Sequence, residues 1–317
     1  MKKVIILIAI VAICSSCQQS YVKNQSSGEI KGVIAISGAF ALYPLTVQWA
    51  EEFKKLHPDV VIDISAGGAG KGMADVLSGM VDIAMFSREV QQPEKDKGAW
   101  KINVARDAVF PTVNKNNPAL TEILKKGLTR EQFREMYTSK KTLSWDKYLG
   151  LNKNVSVNVF TRSDACGAAA TWASFMGLHQ EDLTGTGVFG DPGIADAVKK
   201  DDLGVGYNNL VYIYDIETGG IIDGLAIIPV DMDGNRIIDE DENFYNTHAE
   251  VILAIKKNKY PSPPARNLYL VTKGKPEKTI IKEFLNFILT SGQNQIEDAG
   301  YIQPDSAMLV SEIEKLK

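Results

Sequence analysis

Apolar and polar residues fall in blocks along the chain, and the block period switches between that of a strand and that of a helix. Residues 32–37 (GVIAIS) are a short run of β-branched and small residues, the pattern of a buried strand. Residues 44–57 then place Leu45, Trp49, Phe53 and Leu56 at helical spacing, which predicts an amphipathic helix after a short loop. The alternation repeats with strand 60–65 (VVIDIS), a glycine-rich turn (GGAGKG), a helix through Met73–Leu77 and strand 81–85 (VDIAM). This βαβαβ order predicts a mainly parallel sheet with helices on both faces. It also puts the glycine-rich and Ser/Arg turns at the carboxyl ends of strands, the edge where open α/β sheets bind ligands.

Residues 104–113 (VARDAVFPTV) read as a strand leading out of this unit, and Pro118 opens a new segment. Helices are expected around 129–137 and 164–178, with strands at 155–160 and 204–209. A strand in AIIPV and helices near 277–290 and 306–316 complete the chain. The order predicts two doubly wound α/β lobes, lobe I from 31–110 and 223–317 and lobe II from 111–222, joined by a two-strand hinge.

The N-terminus carries Lys2 and Lys3 and then an apolar run from Val4 to Ile13, which is short for a membrane span and reads as a signal peptide. Ser15 and Ser16 precede Cys17, a pattern that resembles the lipobox of bacterial lipoproteins, although Cys14 stands where that pattern prefers Leu. The resemblance implies a leader over residues 1–17, lipidation at Cys17 and a polar tether over 18–30, hence a membrane-anchored periplasmic lipoprotein. Beyond the leader only Cys166 remains, so no intrachain disulfide and no cysteine metal cluster is expected. A net charge of −4 argues against nucleic acid as a partner.

Four stations, in order, resemble the phosphate-binding proteins of high-affinity phosphate ABC transporters. They are the Ser/Gly turn ending Tyr43-Pro44-Leu45, Gly67–Gly72 with Asp82–Glu89, the loop Arg162-Ser163-Asp164-Ala165-Cys166-Gly167-Ala168, and Tyr260-Pro261 through Arg266-Asn267-Leu268-Tyr269. The resemblance implies a type II periplasmic-binding-protein fold, a monomer that captures phosphate or a related oxyanion and delivers it to an ABC permease in the inner membrane. It nominates Ser37, Gly38, Ala39 and Phe40 in the first turn, Gly68, Ala69 and Gly70 in the second, Ser87 and Arg88 after the third strand, and Arg162, Asp164, Cys166, Gly167 and Ala168 in lobe II. Small residues at strand–helix turns let backbone N–H groups approach an anion, and the helix dipole behind them favours negative charge. Arg162 can fork onto two oxygens, with Asp164 orienting it or accepting a proton from a monohydrogen anion. Arg88 is open between the cleft and a surface pair with Glu89, and Lys71 between the cleft and a solvated helix start.

The chain departs from the family where hydroxyls are expected. Ala39, Phe40 and Ala41 fill the first loop, Ala69 and Gly70 the second, and Cys166 and Ala168 replace Ser and Thr in the third. Each missing neutral hydrogen bond weakens binding by roughly 0.5–1.5 kcal/mol unless replaced. Another tetrahedral oxyanion, or a larger anion packed on Phe40, therefore stays open. No cofactor is required. One further motif, DMDGNRIIDEDE at 231–242, places Asp231, Asp233, Asn235, Asp239 and Glu242 at positions 1, 3, 5, 9 and 12 of a calcium loop. Ile237 offers a carbonyl at position 7, and Arg236 stands where a glycine is usual. The motif suggests a structural Ca²⁺, against the alternative of a solvated acidic turn. The competing functions are a hydrolase using Cys166 or Ser163 in the same cleft and a lipid-anchored anion sensor. His57, His179 and His248 are remote in sequence from those nucleophiles, and no G-x-S-x-G elbow is present.

Overall fold

The computed structural model describes residues 30–317. The leader, Cys17 and all of the tether but Ile30 lie outside the described residues. No helix of the described residues is long and apolar enough to cross a membrane.

Lobe I opens as the pattern predicts, with β1 (Gly32–Gly38), α1 (Tyr43–Leu56), β2 (Val60–Ala66), α2 (Ala69–Ser78) and β3 (Ile83–Phe86). Strands β2 and β3 both pair with β1 in parallel, so Ile36 lies between Ile64 and Ile83. The apolar stripe of α1 faces the sheet through Leu45, Trp49 and Phe53, while Leu56, at the helix end, is exposed. Trp49 Nε1 donates to the Gly292 carbonyl at 2.9 Å, which ties α1 to the chain's C-terminal part.

After α3 (Gln92–Asp96), the chain leaves through β4 (Ala99–Asn114), a strand of sixteen residues that serves both lobes. Lobe II contains α4 (Leu120–Lys126), α5 (Arg130–Thr138), β5 (Leu143–Ser144), α6 (Trp145–Leu149), β6 (Ser156–Arg162), α7 (Gly167–Phe175), β7 (Thr186–Val188), α8 (Gly190–Lys200), β8 (Gly204–Asn209), β9 (Leu225–Ile227) and α9 (His248–Lys256). The return strand β10 (Ala265–Lys273), α10 (Thr279–Leu289) and α11 (Ser306–Leu316) complete lobe I. The sheet order is β2-β1-β3-β10-β4-β8-β6-β5, with β7 on β6 and β9 on β4. Pairing is parallel within β2-β1-β3 and within β8-β6-β7, but the strands that cross between lobes are antiparallel to their neighbours. The expected mainly parallel sheet thus holds inside each lobe and fails at the hinge.

Two large apolar cores mark the lobes. One ends on β4 at Ala105 and resumes at Leu268; the other begins at Ala108 and continues to Ala265, with Ile302 joining it from the C-terminal part. The first crossing expected at 110 therefore lies at 106–107. The second, expected at 222–223, lies at 266–267. Residues 225–265 belong to lobe II because β9 pairs with the far half of β4 and because Tyr245 and Tyr260 pack on Phe110. Reading AIIPV as a lobe I strand from its order alone missed that pairing. Asp107 and Arg266 mark the two crossings and face each other as a buried ion pair, Arg266 Nη2 to Asp107 Oδ2 at 3.1 Å.

Candidate functional site at the lobe interface

Lobe I brings backbone to the interface. Gly38, at the end of β1, has φ +134, and a Cβ there would run into the Met85 backbone. Its carbonyl accepts the amides of Gly67 and Gly68 at 2.9 and 3.0 Å, which folds the second bend against the first. The Ala39 amide donates to Met85 O at 2.9 Å, and the Gly70 amide reaches across the lobes to Ala165 O at 3.0 Å. The N–H groups of Ala39, Gly68 and Gly70, nominated as anion donors, are therefore bound to protein carbonyls in this closed arrangement. Ser37 is likewise engaged, because its buried hydroxyl donates to Asp75 Oδ2 at 2.7 Å. Lys71 binds the same carboxylate instead of entering the cleft. Ala69 is buried at the start of α2. Phe40 does face the site: its ring lies 5.6 Å from the Arg162 guanidinium carbon and edge-on to the Phe189 ring of lobe II at 5.7 Å.

At the end of β3, Ser87 is buried against Gly167, so closely that a Cβ on Gly167 would overlap the Ser87 hydroxyl and carbonyl. The next residue turns away. Arg88 forms a two-pronged pair with Glu94 at 2.7 and 3.0 Å and stacks over Phe86. It borders a side groove of about 290 Å³ between the lobes, together with Ala170, Thr171 and Ser174. Neither the cleft role nor a pair with the Glu89 carboxylate holds for Arg88, because Glu94 satisfies its guanidinium first.

Lobe II brings charge. Arg162 ends β6, and its side chain is 1% exposed. Its amide donates to the Tyr207 hydroxyl at 3.1 Å, which fixes the backbone from which the side chain projects. Asp164 holds the guanidinium through Nε at 2.8 Å and Nη2 at 2.6 Å, as the sequence suggests, and also accepts the Gly190 amide at 3.2 Å. Gln180 braces this loop by donating to Asp164 O at 2.7 Å and accepting the Cys166 amide at 3.1 Å. Cys166 caps α7, accepting the Ala169 amide at Sγ. Burial pushes the Cys166 thiol up to about 12, with the nearby Asp191 and Asp164 carboxylates adding to the rise, so it is no ready nucleophile. Gly167 and Ala168 form the buried first turn of α7, with the helix N-terminus at the interface.

Asp191 is the member of the site that the sequence reading missed. It sits in the first turn of α8 and takes the remaining side of Arg162, at Nη1. Asn209 donates to its other carboxylate oxygen, and Asn208 to its backbone carbonyl at 3.0 Å. Burial pushes the Asp191 carboxyl above the ordinary range, against the pull of Arg162. Burial would likewise lower the Arg162 guanidinium, but Asp191 and Asp164 outweigh it and keep the arginine protonated. The signal for Asp191 was present: Asp191-Pro192 at a helix start, followed by Ile194, Ala195 and Val198 at helical spacing. The polar chain continues through Asn209 Oδ1, which accepts from Arg266, to Asp107 at the hinge. Burial also raises the Asp107 carboxyl, with Arg266 opposing. One connected network thus joins the interface arginine to both lobe crossings. The acidic loop 231–242 is not part of it and packs instead on the end of α4 and the turn after it, where the Ile238 amide donates to Lys125 O at 2.9 Å and the Asp231 amide to Leu128 O at 3.0 Å.

An arginine with five N–H groups that gives three to Asp164 and Asp191 retains two, one on each terminal nitrogen. That residual fork, beside the N-terminus of α7 and the small-residue bends of lobe I, suits a compact anion with oxygens in a fixed geometry. The chain is similar to known proteins along most of its length. Among curated proteins, the phosphate-binding protein PstS of Staphylococcus aureus is 23% identical over 302 residues, spanning 93% of this chain and 86% of the relative. Among solved structures, a Clostridium perfringens protein with bound phosphate, provisionally described as a phosphate ABC transporter substrate-binding protein, superposes with a TM-score of 0.70 and 25% identity. It covers 86% of this chain and 100% of its own. An ABC-type phosphate transport receptor from Vibrio cholerae gives a TM-score of 0.63 at 22% identity, covering 86% and 100%. The family model described as the PBP superfamily domain matches residues 23–291, most of the chain, and on that match, with two lobes closed about an anchored arginine, the chain belongs to the PBP superfamily.

Proposed function

We propose that the protein is an extracytoplasmic solute-binding receptor that closes on phosphate or a related tetrahedral oxyanion and delivers it to an ABC permease. The observation that carries this reading is Arg162, buried between the lobes and held on two sides by Asp164 and Asp191, with two N–H groups left over. Similarity to phosphate-binding relatives along nearly the whole chain supports the same class of ligand. The protein acts by binding and not by turnover: the thiol in the cleft caps a helix and resists ionisation. Opening of the lobes about β4 and the 266–267 crossing admits the anion, and closure buries it. The leader pattern supports export and anchoring through a lipid on Cys17.

Titration calorimetry with phosphate, sulfate, molybdate and small organic phosphates tests the reading. One anion bound per chain, recovered unchanged, is the expected result. Absence of heat with every member of the panel would remove the oxyanion receptor from consideration, and release of a product would replace it with an enzyme. Mass spectrometry of the membrane fraction tests the anchor: the expected mature N-terminus is an acylated Cys17, and a free, unmodified one excludes it.

A further inference from the structure

The acidic loop in lobe II carries a second function, independent of the anion receptor. We infer that residues 231–242 form a structural Ca²⁺ site that staples the segment before α9 to the turn between α4 and α5. Calcium takes six to eight oxygen ligands at about 2.3–2.6 Å, so oxygens on opposite sides of one ion stand about 4.6–5.2 Å apart. Carboxylate oxygens of Asp231, Asp233 and Glu242 all lie within 4.8 Å of one another, which is the span of such an ion.

A second observation, separate from the clustering, points to a ligand. Glu242 is buried, with 7% of its surface exposed; its Oε1 accepts the Met232 amide at 2.6 Å, but its Oε2 has no hydrogen-bond partner. A buried carboxylate oxygen without a partner is costly, and here it stands among other carboxylates. A divalent cation at this point would give the orphaned oxygen its partner and offset the charge of its neighbours.

The backbone agrees with the chemistry. Arg236, at the position where a calcium loop usually has glycine, adopts φ +67, the left-handed conformation that the glycine would supply. Asp231 turns the loop around itself by accepting the amides of Gly234 at 2.8 Å and Arg236 at 3.0 Å. Asp239 stands outside the tight carboxylate group, which fits a ninth position that acts through water. The loop is held to its surroundings at several points, Asp231 N to Leu128 O at 3.0 Å, Ile238 N to Lys125 O at 2.9 Å, Arg236 Nη2 to Tyr148 O at 3.2 Å and Lys259 Nζ to Asp241 at 2.6 Å. Fixing the loop therefore ties it to α4, to the turn after α4 and to the end of α6.

Calcium added to the chelator-treated protein is expected to give one site per chain by calorimetry. At about 100 times Kd it should raise the melting temperature by about 5 °C, with Mg²⁺ at equal concentration giving less than half that shift. Glu242→Gln should abolish the calcium shift. Because that change is in the core, Asp233→Ala, at an exposed position, provides the second test: it should leave the calcium-free melting temperature within about 1 °C while weakening calcium at least tenfold. Sulfate or phosphate binding by the same variant should be unchanged, which separates this site from the receptor reading. No heat and no shift at millimolar calcium, or a shift that survives Asp233→Ala intact, overturns the proposal.

Discussion

The two lobes meet at one interface but bring opposite materials to it. Lobe I offers shape: glycine and alanine bends whose amides already bind carbonyls, with Phe40 as the large side chain that reaches the arginine. Lobe II offers charge: Arg162 between two carboxylates, braced by Gln180 and tied through Asn209 to the hinge pair. Closure brings them together through glycines. Gly70 donates across to Ala165, and Gly167 lies against Ser87 with no room for a methyl group. The contrast divides the tasks at the interface between the lobes. Position is set by backbone contact in one lobe, and the side-chain donors come from an arginine held in a buried ion cluster in the other.

The largest effect expected is from removing the charge. Arg162→Ala leaves Asp164 and Asp191 buried without a counter-ion, at a cost of about 3–5 kcal/mol of stability. It should also abolish anion binding, measured by native mass spectrometry below the lowered melting temperature. The matched change outside the cluster, Arg88→Ala, removes only a partly exposed pair with Glu94 and should cost at most about 1 kcal/mol. Anion affinity should stay within about threefold. If the two variants lose binding equally, the division of labour between the lobes is wrong.

Next in size is a change of shape without charge. Gly167→Ala puts a methyl group onto the Ser87 carbonyl, which is backbone and has little freedom to yield. Alanine is well tolerated in a helix, so each lobe should keep its stability within about 0.5 kcal/mol. Closure should fail. The radius of gyration from solution scattering should no longer contract when anion is added, and affinity should fall by about a hundredfold or more. Contraction as in the wild type would show that Ser87 and Gly167 do not limit closure.

A smaller effect, of opposite sign, is expected from Asp191→Asn. The two arginines and three aspartates of the network sum to −1, which repels the proposed ligand. Neutralising one of them should tighten sulfate by about tenfold, the scale of one charge acting at short range in a partly shielded site. The pH profile gives the sign independently. With its folded pKa raised, Asp191 takes up a proton as pH falls toward 3.8, so wild-type sulfate affinity should climb over that interval, and Asp191→Asn should climb less, its remaining rise coming from Asp107, whose carboxyl is also raised. The raised value also means that Asp191 favours the folded state below 3.8 and loses that contribution as pH rises through its folded pKa. Weaker sulfate binding by Asp191→Asn would instead make this residue a positioning group for Arg162.

Local periodicity carried the βαβαβ of lobe I, the helices at α1, α5 and α11, and the Arg162–Asp164 pair, because each depends on residues close in sequence. What failed depends on distant partners. Asp191 meets Arg162 from 29 residues away, and Ser37 is taken by Asp75 from 38 away. The return crossing moved from 223 to 266 because β9 pairs with β4, a contact that no spacing within 225–265 encodes. Arg88 was open because its competitor, Glu94, lies six residues on in the first turn of α3, and only the turn between them decides which carboxylate it meets.

The smallest prediction returns a hydroxyl to the charged lobe. Cys166 caps α7 with sulfur, a weak acceptor, at 3.4 Å from the Ala169 amide. Serine is among the best residues at this position, so Cys166→Ser should add about 0.5–1 kcal/mol of stability, read as a higher melting temperature. A serine oxygen that accepts the Ala169 amide still has its own hydrogen to donate. If that hydrogen points into the cleft, it supplies one of the missing ligand contacts and tightens phosphate by about two- to tenfold. The two gains are separable, because capping acts on the empty protein and the new donor acts only with anion present. A higher melting temperature with unchanged affinity would place residue 166 in the scaffold alone and leave the recognition in lobe II to Arg162 and the α7 amides.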